Sequence, residues 1–219
     1  MRKQLRCGTR FERDGWKQGY CSIAGVDEVG IGSLFGPVVA AAVILDRARP
    51  IRGLNDSKQL TPEAREDFSE KIRNSALAWA VGMVDAAEID RINIYQAALL
   101  AMKKAVLALS LPPDFLLVDA RRLSLDIPQT SIIKGDAQSV SIAAASIVAK
   151  VERDAMMCEW DRVYPQYGLA SHKGYPTPAH KKALREWGPT PLHRSSYAPV
   201  RSAAAQSQYD LPQFNLPLG

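Results

Sequence analysis

The chain has 219 residues, of which 47% are apolar and 23% charged, a balance that suits one folded domain with a terminal appendage and excludes wholesale disorder or a fibrous repeat. Its formal net charge of +5 and its pI of about 9.2 suit a phosphate-rich partner without identifying one. The longest strongly apolar stretch, Phe35 to Leu45, contains Gly36 and Pro37 and falls short of the roughly 20 residues that a membrane span needs, so no membrane association is expected.

In chain order, residues 1–19 are polar, basic and broken by Gly8, Gly15 and Gly19, and read as a loose N-terminal arm with order starting near Tyr20. No apolar segment follows the first charges as a secretory signal would require, so a cytoplasmic location is expected. CSIAGVDEV reads as a strand, GIGSLFGP as a turn and VVAAAVILD as the buried antiparallel partner. Thr61-Pro62-Glu63 opens a helix to about Ala76, with Thr61 as N-cap and Pro62 at the first helical position. WAVGMVD is a third strand, followed by helical segments from about Asp85 that Pro112-Pro113 stops. FLLVD and SIIK are the fourth and fifth strands. A long helix from about Gln138 to Tyr164 places Val140, Ala144, Ile147, Val151 and Ala155 on one face, which should be core. Short helices follow near AHKKALREW and Pro199, and after Ala205 the composition suggests a flexible tail. A hairpin, then strands separated by long helices, indicates an α/β chain with a central mixed five-stranded sheet flanked by helices and a small helical C-terminal part.

Cys7, Cys21 and Cys158 are odd in number and lack metal-ligand spacing; Cys21, on an apolar run, reads as a small buried hydrophobe. His172, His180 and His193 have no nearby cysteine partners, which argues against structural zinc and leaves hard-metal chemistry through carboxylates open.

Asp27 and Glu28 end the first strand, before a glycine-rich turn. Neighbours on a strand face opposite ways, so both serve one site only if the strand end twists or the Glu28 carbonyl takes part. Taken alone, the pair reads more readily as one salt-bridged and one solvated carboxylate. Asp119, at the end of FLLVD, and Asp136, after SIIKG, alter that balance. If the first and fourth strands are neighbours, these acids share one rim and repel one another unless cations bind among them. Oxygen-rich clusters of that kind suit Mg²⁺ or Mn²⁺ and metal-assisted phosphodiester hydrolysis. For Asp136, a helix N-cap is the competing role. A nucleotide-binding loop at GVDEVGIGSLFG fails for want of a following Lys-Ser/Thr pair.

The runs IAGVDEVGIGSLFGPVVAAAVIL, Asp56-Ser57-Lys58, LLVDA, KGDAQSVSIAAASIVAKVERDAMM, YPQYG and HKGYPT together resemble bacterial ribonuclease HII, in order and spacing, over about residues 21–201. The resemblance implies a ribonuclease-H-like fold, with an arm at 1–19, a type 2 ribonuclease H catalytic domain at 20–204 and a tail at 205–219. It implies that Asp27, Glu28, Asp119 and Asp136 are the catalytic, metal-binding carboxylates, with Mn²⁺ or Mg²⁺ as cofactor, and that Asp154 is a further acid near the site, with an ordinary ion pair to Arg153 or Lys150 as the other reading. The implied reaction is cleavage 5′ to a ribonucleotide in RNA·DNA hybrids or in duplex DNA, leaving a 3′-hydroxyl and a 5′-phosphate, in ribonucleotide excision. Gly30, Ile31, Gly32 and Tyr175 would sense the 2′-hydroxyl, and Lys58, Lys173 and Arg194 would contact phosphates; each also has a plain structural reading. A monomer is expected.

Two positions depart from the family pattern. Its turn is usually Gly-Arg-Gly, and this chain has Ile31; a glycine usually follows the third acid, and this chain has Ala120. Loss of the guanidinium motivates an alternative reading as a hybrid-binding protein with attenuated catalysis. In the tail, Gln213, Phe214, Leu216 and Leu218 resemble peptides that dock into the replication sliding clamp, and a terminal segment covering an apolar patch is the other reading.

Overall fold

The computed structural model of the chain describes residues 7–209. A helix, α1 (Arg10–Lys17), precedes the first strand, so the segment expected to be a loose arm is ordered from at least Cys7. The strands are β1 (Ile23–Val29), β2 (Val38–Ile44), β3 (Ala78–Val84), β4 (Phe115–Asp119) and β5 (Gln129–Ile132). The helices after α1 are α2 (Pro62–Ser75), α3 (Ala86–Ile92), α4 (Ile94–Leu107), α5 (Val140–Val163), α6 (Leu169–His172), α7 (Pro178–Trp187) and α8 (Ala198–Tyr209).

One sheet has the order β3-β2-β1-β4-β5, antiparallel through β3, β2 and β1 and parallel through β1, β4 and β5. This is the mixed five-stranded sheet expected from the hairpin and the later helical crossovers. Successive strand residues alternate between its two faces. Ala24, Val26, Ala40 and Ala42 pack in the cluster that contains α4, whereas Ala41 and Val43 pack in the cluster that contains α5. β2 is buried along its whole length because both helices cover it. The approach of α5 to β1 is close: a Cβ at Gly25 would overlap the Ser141 backbone carbonyl. Only glycine lets the two elements meet there.

The local signals for α2 hold, with Pro62 in its first turn and Thr61 accepting from the Ala64 amide. The helical segment after Asp85 divides at Asn93, whose φ of +67° interrupts the α-helical geometry and whose side chain caps α4. β5 lies slightly upstream of the SIIK run, and Ile133 is exposed beyond its end. Of the α5 face expected to be core, Val140, Ala144, Ile147 and Val151 lie in or against a core cluster and Ala155 does not. Ser141 to Ala149 are buried all round, between β1, β2 and α2, and the buried stripe then continues through Arg153 and Met157, while Ala155 is exposed. Cys21 is exposed, not a core residue. A separate cluster joins Leu34, Phe35 and Met157 to Leu169, Leu184 and Val200, and this is the small helical C-terminal part. α8 runs through Tyr209, into the segment expected to be tail. Among the described residues, no helix is long and apolar enough to cross a membrane.

Candidate active site

Parallel pairing sets the site. β1 and β4 match Val26 to Val118, so Asp27 and Asp119 are the next residues along the same rim, and β4 matches Asp119 to Ile132 of β5. Asp136 follows β5 in a short 3₁₀ turn, Gly135–Ala137. The N-cap of α5 is Ser139, which accepts from the Ile142 amide, so Asp136 is free of the capping role.

Asp27 is 5% exposed and shares the α5 side of β1 with Gly25; Glu28 turns to the opposite face, where Arg121 Nη2 reaches its Oε1 at 3.4 Å and stacks over Tyr95. Even so, the acids feel one another at the strand ends. Burial, and then the charges of Glu28 and Asp119, raise the Asp27 carboxyl well above its ordinary range, partly offset by hydrogen bonding from Ser146. Burial also raises Glu28, against the pull of Arg121, and it raises Asp119, against the hydrogen bond from the Gly135 amide. Asp119 Oδ1 accepts that bond at 2.6 Å. Glu28 Oε2 is buried with no hydrogen-bond partner. Among the described residues, no three acidic, histidine or cysteine side chains form a ready-made metal ligand set. The rim is an open array of oxygens that resist being charged together.

Of the basic positions, Lys58 pairs with one of the acids. Its side chain is 78% exposed, and its Nζ lies 3.2 Å from Asp136 Oδ2, over a cavity of about 810 Å³ that Asn55, Lys134, Asp136 and Cys7 also line. Burial, with Glu12 and Asp136 nearby, pushes the Cys7 thiol up to about 12, so it is no nucleophile at neutral pH. Lys173 has its ammonium 3.3 Å from Cys158 Sγ. Arg194 corrects the expectation outright: it is fully buried, donating to the carbonyls of Gly36 and Ile31 and to the Tyr197 hydroxyl, and it cannot meet a phosphate without unfolding its surroundings. Asp154 pairs with Lys150 at 2.7 Å, its ordinary structural role.

Arg194 and a second buried arginine, Arg153, instead shape the turn that carries Gly30, Ile31 and Gly32. Arg153 donates to Pro37 O, Phe35 O, Ser33 Oγ and Lys173 O, tying the turn to the segment that bears Tyr175. Gly30, at φ +92°, leaves no room for a Cβ above that guanidinium. The Ile31 carbonyl accepts from Arg194 and Tyr197, and its side chain packs on the α4 cluster. Gly32 lies against the Tyr175 ring, so the expected 2′-hydroxyl sensors do come together. Arg121, Arg153 and Glu12 escaped the sequence reading because their partners are distant in the chain.

The Tyr175 backbone is held by a directed chain of imidazoles. The Thr190 amide donates to His193 Nδ1, which leaves the proton on Nε2 to donate to His180 Nε2 at 3.1 Å; His180 Nδ1 then donates to the Tyr175 carbonyl. The tail residues Gln213, Phe214, Leu216 and Leu218 lie outside the described residues.

The chain matches the family model described as Ribonuclease HII over residues 24–200. It is 58% identical over 199 residues to a ribonuclease HII of Solibacter usitatus, covering 91% of this chain and 87% of that one. Its fold resembles the crystal structure of the ribonuclease H2 from Pyrococcus horikoshii, with a TM-score of 0.74 and 27% identity over 86% of this chain and 99% of that one. It also resembles the ribonuclease HII in a PCNA:RNase HII complex from Archaeoglobus fulgidus, with a TM-score of 0.69 and 26% identity over 81% and 95% of the two chains.

Two outcomes follow from the local geometry. Ala120 has a φ of +46° and is exposed, so the position where glycine is usual does need the left-handed region. The strain of alanine there exceeds the extra unfolded-state entropy of glycine, and Ala120→Gly should stabilise the fold by about 0.5–1 kcal/mol in urea unfolding; a loss of stability would show that the Cβ contributes more than it strains. Burial pushes His180 down to about 4 and, with His180 beside it, His193 down to about 3. Unfolded histidines take up protons near pH 6.5, so the stability tied to this neutral pair is complete above about pH 6.5 and is lost as pH falls towards 4. Ring ¹⁵N signals of both residues should stay neutral from pH 8 to 5.5; ordinary titration of either would contradict the buried pair.

Proposed function

The chain belongs to the ribonuclease HII family and is a ribonuclease H-type endonuclease, and from that premise we propose that it hydrolyses the phosphodiester 5′ to a ribonucleotide in RNA·DNA hybrids or in DNA, leaving a 3′-hydroxyl and a 5′-phosphate. The observation that carries this reading is the single rim on which Asp27, Glu28, Asp119 and Asp136 meet.

The residues fit a hard divalent cation. All four donors are carboxylates, Glu28 Oε2 is buried and unmet, and Asp27 and Asp119 are strained towards protonation by burial and by acidic neighbours. Asp27, Glu28, Asp119 and Asp136 would hold Mg²⁺ or Mn²⁺, which supplies Lewis-acid stabilisation of the charge that develops on the phosphate.

The protein's own groups do the remainder. Lys58, at the edge of the cavity beside Asp136, brings a mobile positive charge to a backbone phosphate, while Arg121 restrains Glu28 from the other face. The glycine turn offers backbone at close range to a sugar edge, and the Tyr175 ring beside Gly32 closes over it, which is where a 2′-hydroxyl would be told from hydrogen. Arg153, Arg194 and the histidine chain keep turn and tyrosine in register. Because the turn is fixed through the Ile31 carbonyl, ribose recognition by backbone survives the absence of an arginine side chain there.

The direct test uses labelled duplexes with no ribonucleotide, one, or four, incubated with Mg²⁺, Mn²⁺ or a chelator. Cleavage of the second and third substrates alone, only with metal, and with ligatable 3′-hydroxyl ends is expected. Cutting of all-DNA duplex, or in chelator, contradicts the mechanism; binding without cutting under either metal favours the hybrid-binding alternative. For Ile31→Arg, a regained charge-assisted contact of about 1.5–3 kcal/mol should raise single-ribonucleotide cleavage by roughly tenfold or more. Unchanged or lower activity would show that the turn works through its backbone alone.

A further inference from the structure

Glu12 is buried to 2% exposure in a helix whose other acid, Asp14, is exposed. Its Oε1 accepts from Ser139 Oγ at 2.5 Å and from the Ser141 amide at 3.0 Å, and its Oε2 is buried without a hydrogen-bond partner. Withdrawing a carboxylate from water in this half-satisfied state is unfavourable, so the bonds it does make are the ones that matter. Two backbone bonds flank them: the Gly8 amide donates to Gln138 O at 3.2 Å, and the Val140 amide donates to Gly8 O at 3.1 Å. Residues 8–12 therefore grip residues 138–141 from outside the sheet.

The gripped stretch is the one that places two of the site carboxylates. The Gln138 and Ser139 amides both donate to Gly135 O, closing the turn that contains Asp136, and the Gly135 amide in turn holds Asp119 Oδ1. The Ser139 hydroxyl has a single proton. Given to Glu12, it leaves the oxygen free to accept from the Ile142 amide and cap α5. On its other side the turn is held by the Gln138 side-chain amide, which donates to the Ile133 and Lys134 carbonyls, and by the Lys58–Asp136 ion pair, none of which reaches Ser139.

We propose that Glu12 is a positioning residue: through Ser139 and Ser141 it fixes the Gly135–Asp136 turn, and so the placement of Asp136 and Asp119 towards a divalent cation. The proposal rests on the metal-dependent reading above. It assigns to α1 a part in metal affinity that the four carboxylates do not account for alone.

The test compares the full-length parent with Glu12→Ala, Glu12→Asp and Glu12→Gln. For each, the Mn²⁺ dissociation constant is measured by calorimetry without nucleic acid, together with the half-activating Mn²⁺ concentration, the KM for a one-ribonucleotide duplex at saturating Mn²⁺, and the thermal midpoint. Glu12→Ala and Glu12→Asp should weaken Mn²⁺ binding and raise the half-activating concentration in parallel, by about tenfold, as loss of a group that orients a metal ligand does. KM should stay within about twofold, and Glu12→Gln, which keeps an oxygen acceptor, should stay within about threefold of the parent for Mn²⁺. If Glu12→Ala does not fold, Glu12→Asp decides. Unchanged Mn²⁺ affinity in every folded variant, even with a lowered thermal midpoint, overturns the proposal, as does a Glu12→Gln variant as impaired as Glu12→Asp. A parent that neither binds Mn²⁺ nor cleaves any duplex contradicts the nuclease reading itself; a parent that does both beside unaltered Glu12 variants removes only the positioning role.

Discussion

Like charge forced together at one edge of the sheet is the constraint on which the rest of the structure depends. A parallel pair must end its strands on the same side, and in β1 and β4 those ends are acidic. The next element to arrive, after β5, brings a further carboxylate in Asp136. Burial raises the cost of charging Asp27, Glu28 and Asp119, and acidic neighbours raise it again, so the rim is stable only if something positive offsets it. Arg121 and Lys58 do so in part, paired with Glu28 and Asp136 and both also near Asp119. The remaining deficit is what a divalent cation would meet.

Around this rim the fold separates two tasks. The sheet and α5 place acids, and the small C-terminal part sets Tyr175 beside the glycine turn, where the proposed sugar contact would lie. Arg153 and Arg194 join the tasks: both are fully buried cations, and their bonds to carbonyls of the glycine turn and of Lys173 tie the turn to the segment that bears Tyr175. Removing either would strand several buried carbonyls at once, which makes these arginines structural in location but specific in consequence. On the opposite side, α1 grips the start of α5, next to the turn that bears Asp136.

Much of this was legible in the sequence where the signal is local. FLLVD is a short continuous apolar run ending in an acid and appears as β4 with those bounds, and Thr61-Pro62 opens α2 as cap and first turn. The four acids stand out because each follows an apolar run, although only Asp119 ends its strand: β1 continues past Asp27 and Glu28 to Val29, and Asp136 lies within its 3₁₀ turn. Errors arose where tertiary contacts override local pattern. Ile133 made SIIK look like the strand, yet it is exposed, and the ladder bonds lie upstream. Four of the five spaced apolar residues of α5 do lie in or against the core, but its first turns are buried all round and the stripe then passes through Arg153, a residue type that hydropathy places outside. The resemblance makes Arg194 a phosphate contact, and nothing local marks its burial, because its partners, Ile31 and Gly36, are more than 150 positions away. Glu12 sits in a polar, glycine-broken segment with nothing nearby in the chain to mark its burial.

The central claim is that the rim is destabilising by itself and is completed by a cation. Thermal unfolding of the parent and of Asp27→Asn, each in chelator and in saturating Mn²⁺, tests it most directly. Asparagine keeps the oxygen that accepts from the Glu28 amide but removes the buried charge. In chelator, Asp27→Asn should melt above the parent; in Mn²⁺ at about a hundredfold over its dissociation constant, the parent should gain about 2.7 kcal/mol, or roughly 5 °C or more, and overtake the variant. A parent that is the more stable protein in chelator, or an equal Mn²⁺ gain in both, would contradict the account.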